Sequence, residues 1–205
     1  MIPSLDLQEW FGGIDIYLFD QLLKGRIVAG MKVLDAGCGS GRNLVYLLKS
    51  GYDVFAVDES PEAIAQTRRL AATLAPHLPK DNFRVEAVEK MSFAGTSFDV
   101  VLSSAVLHFA SNEDSWEAML KEMWRLLKPG GIFFARLAST IGIEDQVELI
   151  AGRRYHLPDG SERFLVDEAM LLRVTAELGG EFIEPIKTTV VQNMRAMTTW
   201  CLRKR

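Results

Sequence analysis

The chain is 205 residues long and 48% hydrophobic, which gives one domain enough apolar side chains for a buried sheet. Its 23 basic and 27 acidic residues leave a net charge of −4, and no basic stripe interleaved with aromatics is present, which argues against a nucleic-acid partner. No apolar run reaches the length of a membrane span, and the opening Met1-Ile2-Pro3-Ser4 lacks the charged region and apolar core of a leader, so a cytoplasmic protein is the default expectation.

Residues 5–30 carry Leu5, Leu7, Trp10, Phe11, Ile14, Tyr17, Leu18, Leu22 and Leu23 at helical spacing, and Gly12-Gly13 divides them into two pieces. A strand is expected over 32–36. A glycine-dense turn follows, then a helix over 41–50 that Gly51 caps. Residues 53–58 read as the second strand, and Ser60-Pro61-Glu62 starts a helix that runs to Leu74 and ends before Pro76 and Pro79. Strands are expected over 83–88 and 98–103. A helix over 113–127 places Trp116, Met119, Leu120, Met123, Trp124 and Leu127 on one side. The fifth strand is expected over 131–137, an irregular segment over 139–165, a helix over 167–178, and β-rich segments over 182–191 and 197–202. Strands alternating with helices of this length imply parallel pairing and right-handed crossovers. One domain is expected over 1–205, with 1–30 as a helical N-terminal segment and 139–165 as an insertion. Arg203-Lys204-Arg205 reads as a solvated basic tail. Cys38 and Cys201 have neither metal nor disulfide spacing, and no metal site is expected.

The turn Asp35-Ala36-Gly37-Cys38-Gly39-Ser40-Gly41-Arg42 carries the functional signal. Glycines can take left-handed conformations and let a ligand lie against bare backbone. The dinucleotide pattern G-x-G-x-x-G needs a third glycine for close helix–strand packing, and position 42 is Arg instead. Asp35 would repel a pyrophosphate but suits a ligand with a cationic amino-acid end. Asp58, at the end of the second strand, can accept both ribose hydroxyls of an adenosine group.

These residues resemble the class I S-adenosylmethionine-dependent methyltransferases of methyltransferase type 11. Val33-Leu34-Asp35-Ala36-Gly37-Cys38-Gly39-Ser40-Gly41 is similar to their first motif. Val54 to Asp58 is similar to the second strand with its ribose acid, Ser97 to Leu102 to the fourth strand, and Leu126 to Gly131 to the turn before the fifth. Gly41-Arg42-Asn43, Tyr46-Leu47 and Gly51-Tyr52-Asp53-Val54 resemble the tellurite-resistance branch, and the later motifs resemble ubiquinone-biosynthesis methyltransferases. The resemblance implies a doubly wound Rossmann-like α/β fold: a mostly parallel seven-stranded sheet, an antiparallel C-terminal end and an N-terminal helical lid.

It also implies S-adenosyl-L-methionine as cofactor, S-adenosyl-L-homocysteine as product and a small-molecule methyl acceptor as partner. Asp35, Gly37, Cys38, Gly39 and Gly41 would hold the methionine part, with Arg42 or Asn43 reaching its carboxylate. Asp58 and Glu59 would lie at the ribose. Relatives carry an Asp after the third strand for the adenine; Ala87 stands there, so Val88 or Glu89 would substitute. Ser103 ends the strand that faces the methyl group. His108 is either a general base or a packed histidine bonded to a backbone carbonyl. Trp10, Phe11 and Tyr17 form a lid or ordinary packing. Arg153 and Arg154, beside Tyr155 and His156, bind an anionic acceptor or belong to a solvated loop. The expected reaction is methyl transfer catalysed mainly by positioning. The rival readings are a nucleotide-dependent Rossmann oxidoreductase and a non-catalytic S-adenosylmethionine-binding module.

Overall fold

A computed structural model describes residues 6–205, so the expected helix start at Leu5 lies outside the described residues. The chain forms two compact units, one ending at Val88 and one spanning Glu89–Arg205.

In the first unit, α1 (Leu7–Phe11) and α2 (Ile16–Leu23) are the two expected helical pieces, separated at Gly12-Gly13. Asp6 and Asp15 cap them through side-chain oxygens. Gly12 ends α1 with φ +60°, and a Cβ there would come within 2.7 Å of Val45. The break thus also permits close packing of α1 on α3 (Val45–Lys49), where Phe11 stacks on Tyr46 at 5.1 Å. Three parallel strands follow in the order β1 (Lys32–Ala36), β2 (Asp53–Asp58) and β3 (Phe83–Val85), with Val33 opposite Val54 and Ala56 opposite Phe83. Val33, Leu34, Val54, Ala56 and Val57 are sealed from water, as the continuous apolar run of a parallel strand requires. Between the strands lie α3 (Val45–Lys49) and α4 (Pro61–Leu74), the latter capped by Ser60.

Helix α3 starts later than the expected residue 41. Gly41 has φ +81° and cannot continue a right-handed helix, so residues 41–44 are turns. Arg42 and Asn43 therefore precede the helix. Strand β3 is half its expected length, because Glu86 N–H bonds the Asp58 carbonyl and the chain then leaves the sheet.

The second unit begins with β4 (Phe98–Ser104), α5 (Glu113–Leu126) and β5 (Leu127–Ser139), with β4 and β5 parallel. Their register breaks between Phe98 and Val100, where residues 128–131 bulge outward at Gly130, φ +77°. The expected turn is thus an excursion within one long strand. Next come β6 (Glu148–Ala151), β7 (Arg154–His156) and β8 (Glu162–Phe164), which form a separate antiparallel sheet. The segment read as irregular is therefore ordered. Its strands are three or four residues long, too short for alternation to register against the intervening glycines.

Helix α6 (Glu168–Glu177), capped by Asp167, leads to β9 (Gly180–Phe182), β10 (Lys187–Val191) and β11 (Arg195–Lys204). Strand β11 runs antiparallel to β5, and both β9 and β10 pair with it. The core holds Trp116 stacked between Phe164 (5.9 Å) and Trp200 (6.3 Å). Parallel pairs first and antiparallel pairs last make this a Rossmann-like, mostly parallel α/β fold with an antiparallel C-terminal end. Among the described residues, no helix is long and apolar enough to cross a membrane.

Candidate functional site

The first unit gathers most of the expected site residues around the glycine turn. Gly37, Gly39 and Gly41 have φ of +80°, +53° and +81°, conformations that L side chains rarely adopt. Gly37 and Cys38 both donate to the Val57 carbonyl, and Gly41 donates to the Cys38 carbonyl. From below, Thr67 on α4 donates to the Gly39 carbonyl at 3.0 Å, and a Cβ on Gly41 would meet Thr67 and Leu70 at 3.2 Å. Thr67 is a support that the sequence reading missed; a Thr between Ile64 and Ala71 on the apolar face of α4 was its one signal.

Asp58 accepts from Gly39 N–H (2.8 Å) and from Ser60 N–H (2.9 Å). It thus ties the end of β2 to the glycine turn and leaves one lone pair on each oxygen for a ligand. Asn43 is buried and accepts from Asp15 N–H at 2.9 Å, so its amide holds α2 to the turn. Arg42 is exposed and lies 4.0 Å from Asp15, with a further contact to the Gly13 carbonyl. Glu59 is exposed and Val88 is buried at the end of the unit.

Asp35 is the anomaly. It is 1% exposed, and neither carboxylate oxygen has a hydrogen-bond partner among the described residues. Burial pushes its pKa up to about 7; the Arg42 guanidinium opposes this and the Asp58 charge adds to it. Cys38 is buried 3.8 Å from Thr67, and burial raises its thiol far above the usual range, which makes it an inert packing group.

Three expected site residues belong to the second unit. Glu89 is exposed at its start. Ser103 is sealed in β4 with its hydroxyl unpartnered among the described residues. His108 is buried, and its Nδ1 accepts from the backbone N–H of Ala138 at 3.2 Å. Burial and the Arg163 charge hold its pKa down, at about 4. With Nδ1 occupied by the Ala138 N–H, the neutral ring carries its proton on Nε2. The partner is a backbone N–H rather than a carbonyl.

Arg153 pairs with Asp167 at 2.9 Å and Arg154 with Glu162 at 2.9 Å, so both guanidinium charges are met within the fold. Phe11 packs against Phe19 and Tyr46, and Trp10 lies 41% exposed beside Lys49. Among the described residues, no group of three His, Cys, Asp or Glu side chains is arranged to hold a metal ion.

Comparison with known proteins bears directly on this turn. A methyltransferase domain family matches residues 34–135, from β1 through most of β5. The chain belongs to the class I S-adenosylmethionine-dependent methyltransferases. It is 34% identical over 107 residues to an uncharacterized methyltransferase of Synechocystis sp., covering 52% of this chain and 47% of that one. It is 31% identical over 152 residues to the malonyl-[acyl-carrier protein] O-methyltransferase of Enterobacter lignolyticus, covering 74% of this chain and 55% of the relative. The chain thus spans about half the length of these curated relatives. The Burkholderia thailandensis 1,6-didemethyltoxoflavin-N1-methyltransferase, solved with 1,6-didemethyltoxoflavin and S-adenosylhomocysteine, superposes with a TM-score of 0.68. That match covers 91% of this chain and 75% of the other at 22% identity, and it shows the shared fold.

The methyl donor of class I methyltransferases is S-adenosylmethionine, and the residues of this turn fit it. The partnerless Asp35 carboxylate matches a cationic ammonium group, and three left-handed glycines keep side chains out of the cradle.

Proposed function

We propose that this chain transfers a methyl group from S-adenosylmethionine to a small-molecule acceptor, with positioning as the main source of acceleration. The observation that carries this reading is the sealed Asp35 carboxylate, which has no donor among the described residues and lies just before the glycine turn. A buried charge of this kind is tolerated when a ligand supplies its partner.

When bound, S-adenosylmethionine supplies a sulfonium methyl carbon that is already electrophilic. Asp35 holds the ammonium end, directly or through water, and Arg42 reaches the carboxylate. The turn at Gly37, Gly39 and Gly41 lets the methionine part lie against the backbone, with Cys38 and Asn43 packed beneath it. Asp58 accepts the ribose hydroxyls while it keeps Gly39 in place, with Glu59 beside it. Val88 and Glu89 serve the adenine end, where the family's acid is replaced by Ala87. Ser103 offers a hydroxyl at the end of β4. The chain's task is to align the acceptor in line with the departing sulfur and to exclude water. A small acceptor agrees with the net charge of −4 and with the 1,6-didemethyltoxoflavin bound to the Burkholderia enzyme.

Calorimetric titration with S-adenosylhomocysteine, and in parallel with oxidised nicotinamide dinucleotide, tests the reading. Micromolar binding of the first alone is expected, and Asp58→Ala should weaken it by about 1–3 kcal/mol, the typical effect of leaving polar partners unmatched. Binding of the dinucleotide alone would replace methyl transfer with hydride chemistry.

A further inference from the structure

The exit from β4 is strained and leads into a small polar cluster. Ala105 has φ +63°, unusual for a residue with a Cβ, and its N–H bonds the Arg136 carbonyl at 2.8 Å. The chain then makes a short turn over Leu107–Phe109. Because His108 Nδ1 accepts from Ala138, its Nε2–H points its donor elsewhere, and no hydrogen bond among the described residues uses it. The His108 ring centre lies 4.6 Å from that of Phe109, and the Arg163 guanidinium carbon lies 4.8 Å from the same ring. Phe109 is 61% exposed, although it is flanked by both groups.

Arg163 differs from the neighbouring arginines. Arg153 and Arg154 each hold a carboxylate, whereas Arg163 bonds only the Glu162 carbonyl and has no carboxylate within 4.0 Å among the described residues. A guanidinium with open donors, a neutral imidazole N–H and an exposed aromatic ring together match a planar oxyanion carried on an apolar body.

We propose that His108, Phe109 and Arg163 form a subsite for a carboxylate-bearing aromatic or similarly planar acceptor. Arg163 and His108 Nε2–H donate to the carboxylate oxygens, and Phe109 packs against the apolar body. The term acceptor rests on the methyltransferase reading; the anion subsite itself is testable without it.

The test titrates the intact protein with benzoate, its neutral isostere benzamide and phenyl phosphate, and separately with S-adenosylhomocysteine. Support would be benzoate binding about tenfold or more tighter than benzamide, with that preference lost in Arg163→Gln. The His108 Nε2 proton resonance of the unaltered protein should also move downfield on adding benzoate, and this decides the matter if Arg163→Gln does not fold. Equal binding of benzoate and benzamide, no binding of either, or a preference that survives Arg163→Gln overturns the subsite. Tighter binding of phenyl phosphate than of benzoate overturns the carboxylate assignment. S-adenosylhomocysteine binding without a benzoate preference removes only this subsite; a benzoate preference without S-adenosylhomocysteine binding removes only the methyltransferase reading.

Discussion

A carboxylate sealed from water without a donor destabilises the empty protein whenever it is charged, and Asp35 is in that state above neutral pH. Its pKa is about 7 when folded against an ordinary 3.8, so the folded chain holds this proton more tightly than the unfolded chain. Stability from this group is therefore greatest below pH 4, falls as pH rises through the interval to 7, and is level above it. The loss is on the order of 4 kcal/mol from a shift of about three units. Asp35→Asn should flatten that slope, being more stable than the parent at pH 8 while binding S-adenosylhomocysteine far less well. Urea unfolding of both proteins at pH 5 and pH 8 checks it; a stability gap that is the same at both pH values would sink the assignment. The identity of this residue was legible in the sequence, because Asp before a glycine turn has few other uses. Its isolation was not, since that depends on which backbone groups reach it in three dimensions. Asp58 shows the same limit: its place at a strand end was readable, and its bonds to Gly39 and Ser60 were not.

Elements whose ends carry local chemistry were read closely. Ser60 and Pro61 start α4, Gly51 follows α3 with φ +75°, and α6 begins beside its Asp167 cap. The elements that were misjudged lack such local marks. Helix α3 is short because of a backbone angle at Gly41, and the strands β6 to β8 are too brief to show a period. In the basic tail Arg203 and Arg205 are exposed as expected, and Lys204 was misjudged for a long-range reason. Lys204 Nζ donates to the carbonyls of Trp124 (2.6 Å) and Leu127 (2.9 Å), so it closes the C-terminal end of α5 from a strand about 80 positions away. Burial lowers its pKa, in keeping with this packed position. Lys204→Met should keep the aliphatic stem but lose these bonds, and destabilise the protein by about 1–3 kcal/mol in denaturant titration. No change in midpoint would return this residue to the solvated tail.

At the scale of the whole molecule, the alternation of strands and helices was enough to name the fold class, because parallel pairing needs crossovers and crossovers need helices. The extra sheet and the order of the last three strands came only from the structure. The aromatic core of the second unit has a consequence for how the protein can be watched. Trp116, Trp124 and Trp200 are all buried there, with the Trp116 and Trp200 rings nearly parallel at 17°, whereas Trp10 alone represents the first unit and is 41% exposed. The blue-shifted emission and the near-ultraviolet dichroism should therefore arise almost wholly from residues 89–205. Trp10→Phe is expected to leave the red shift on unfolding nearly intact, and a large loss of that shift would contradict the packing described. Light emitted by this molecule reports on one unit, and the glycine turn will be spectrally silent unless a probe is placed there.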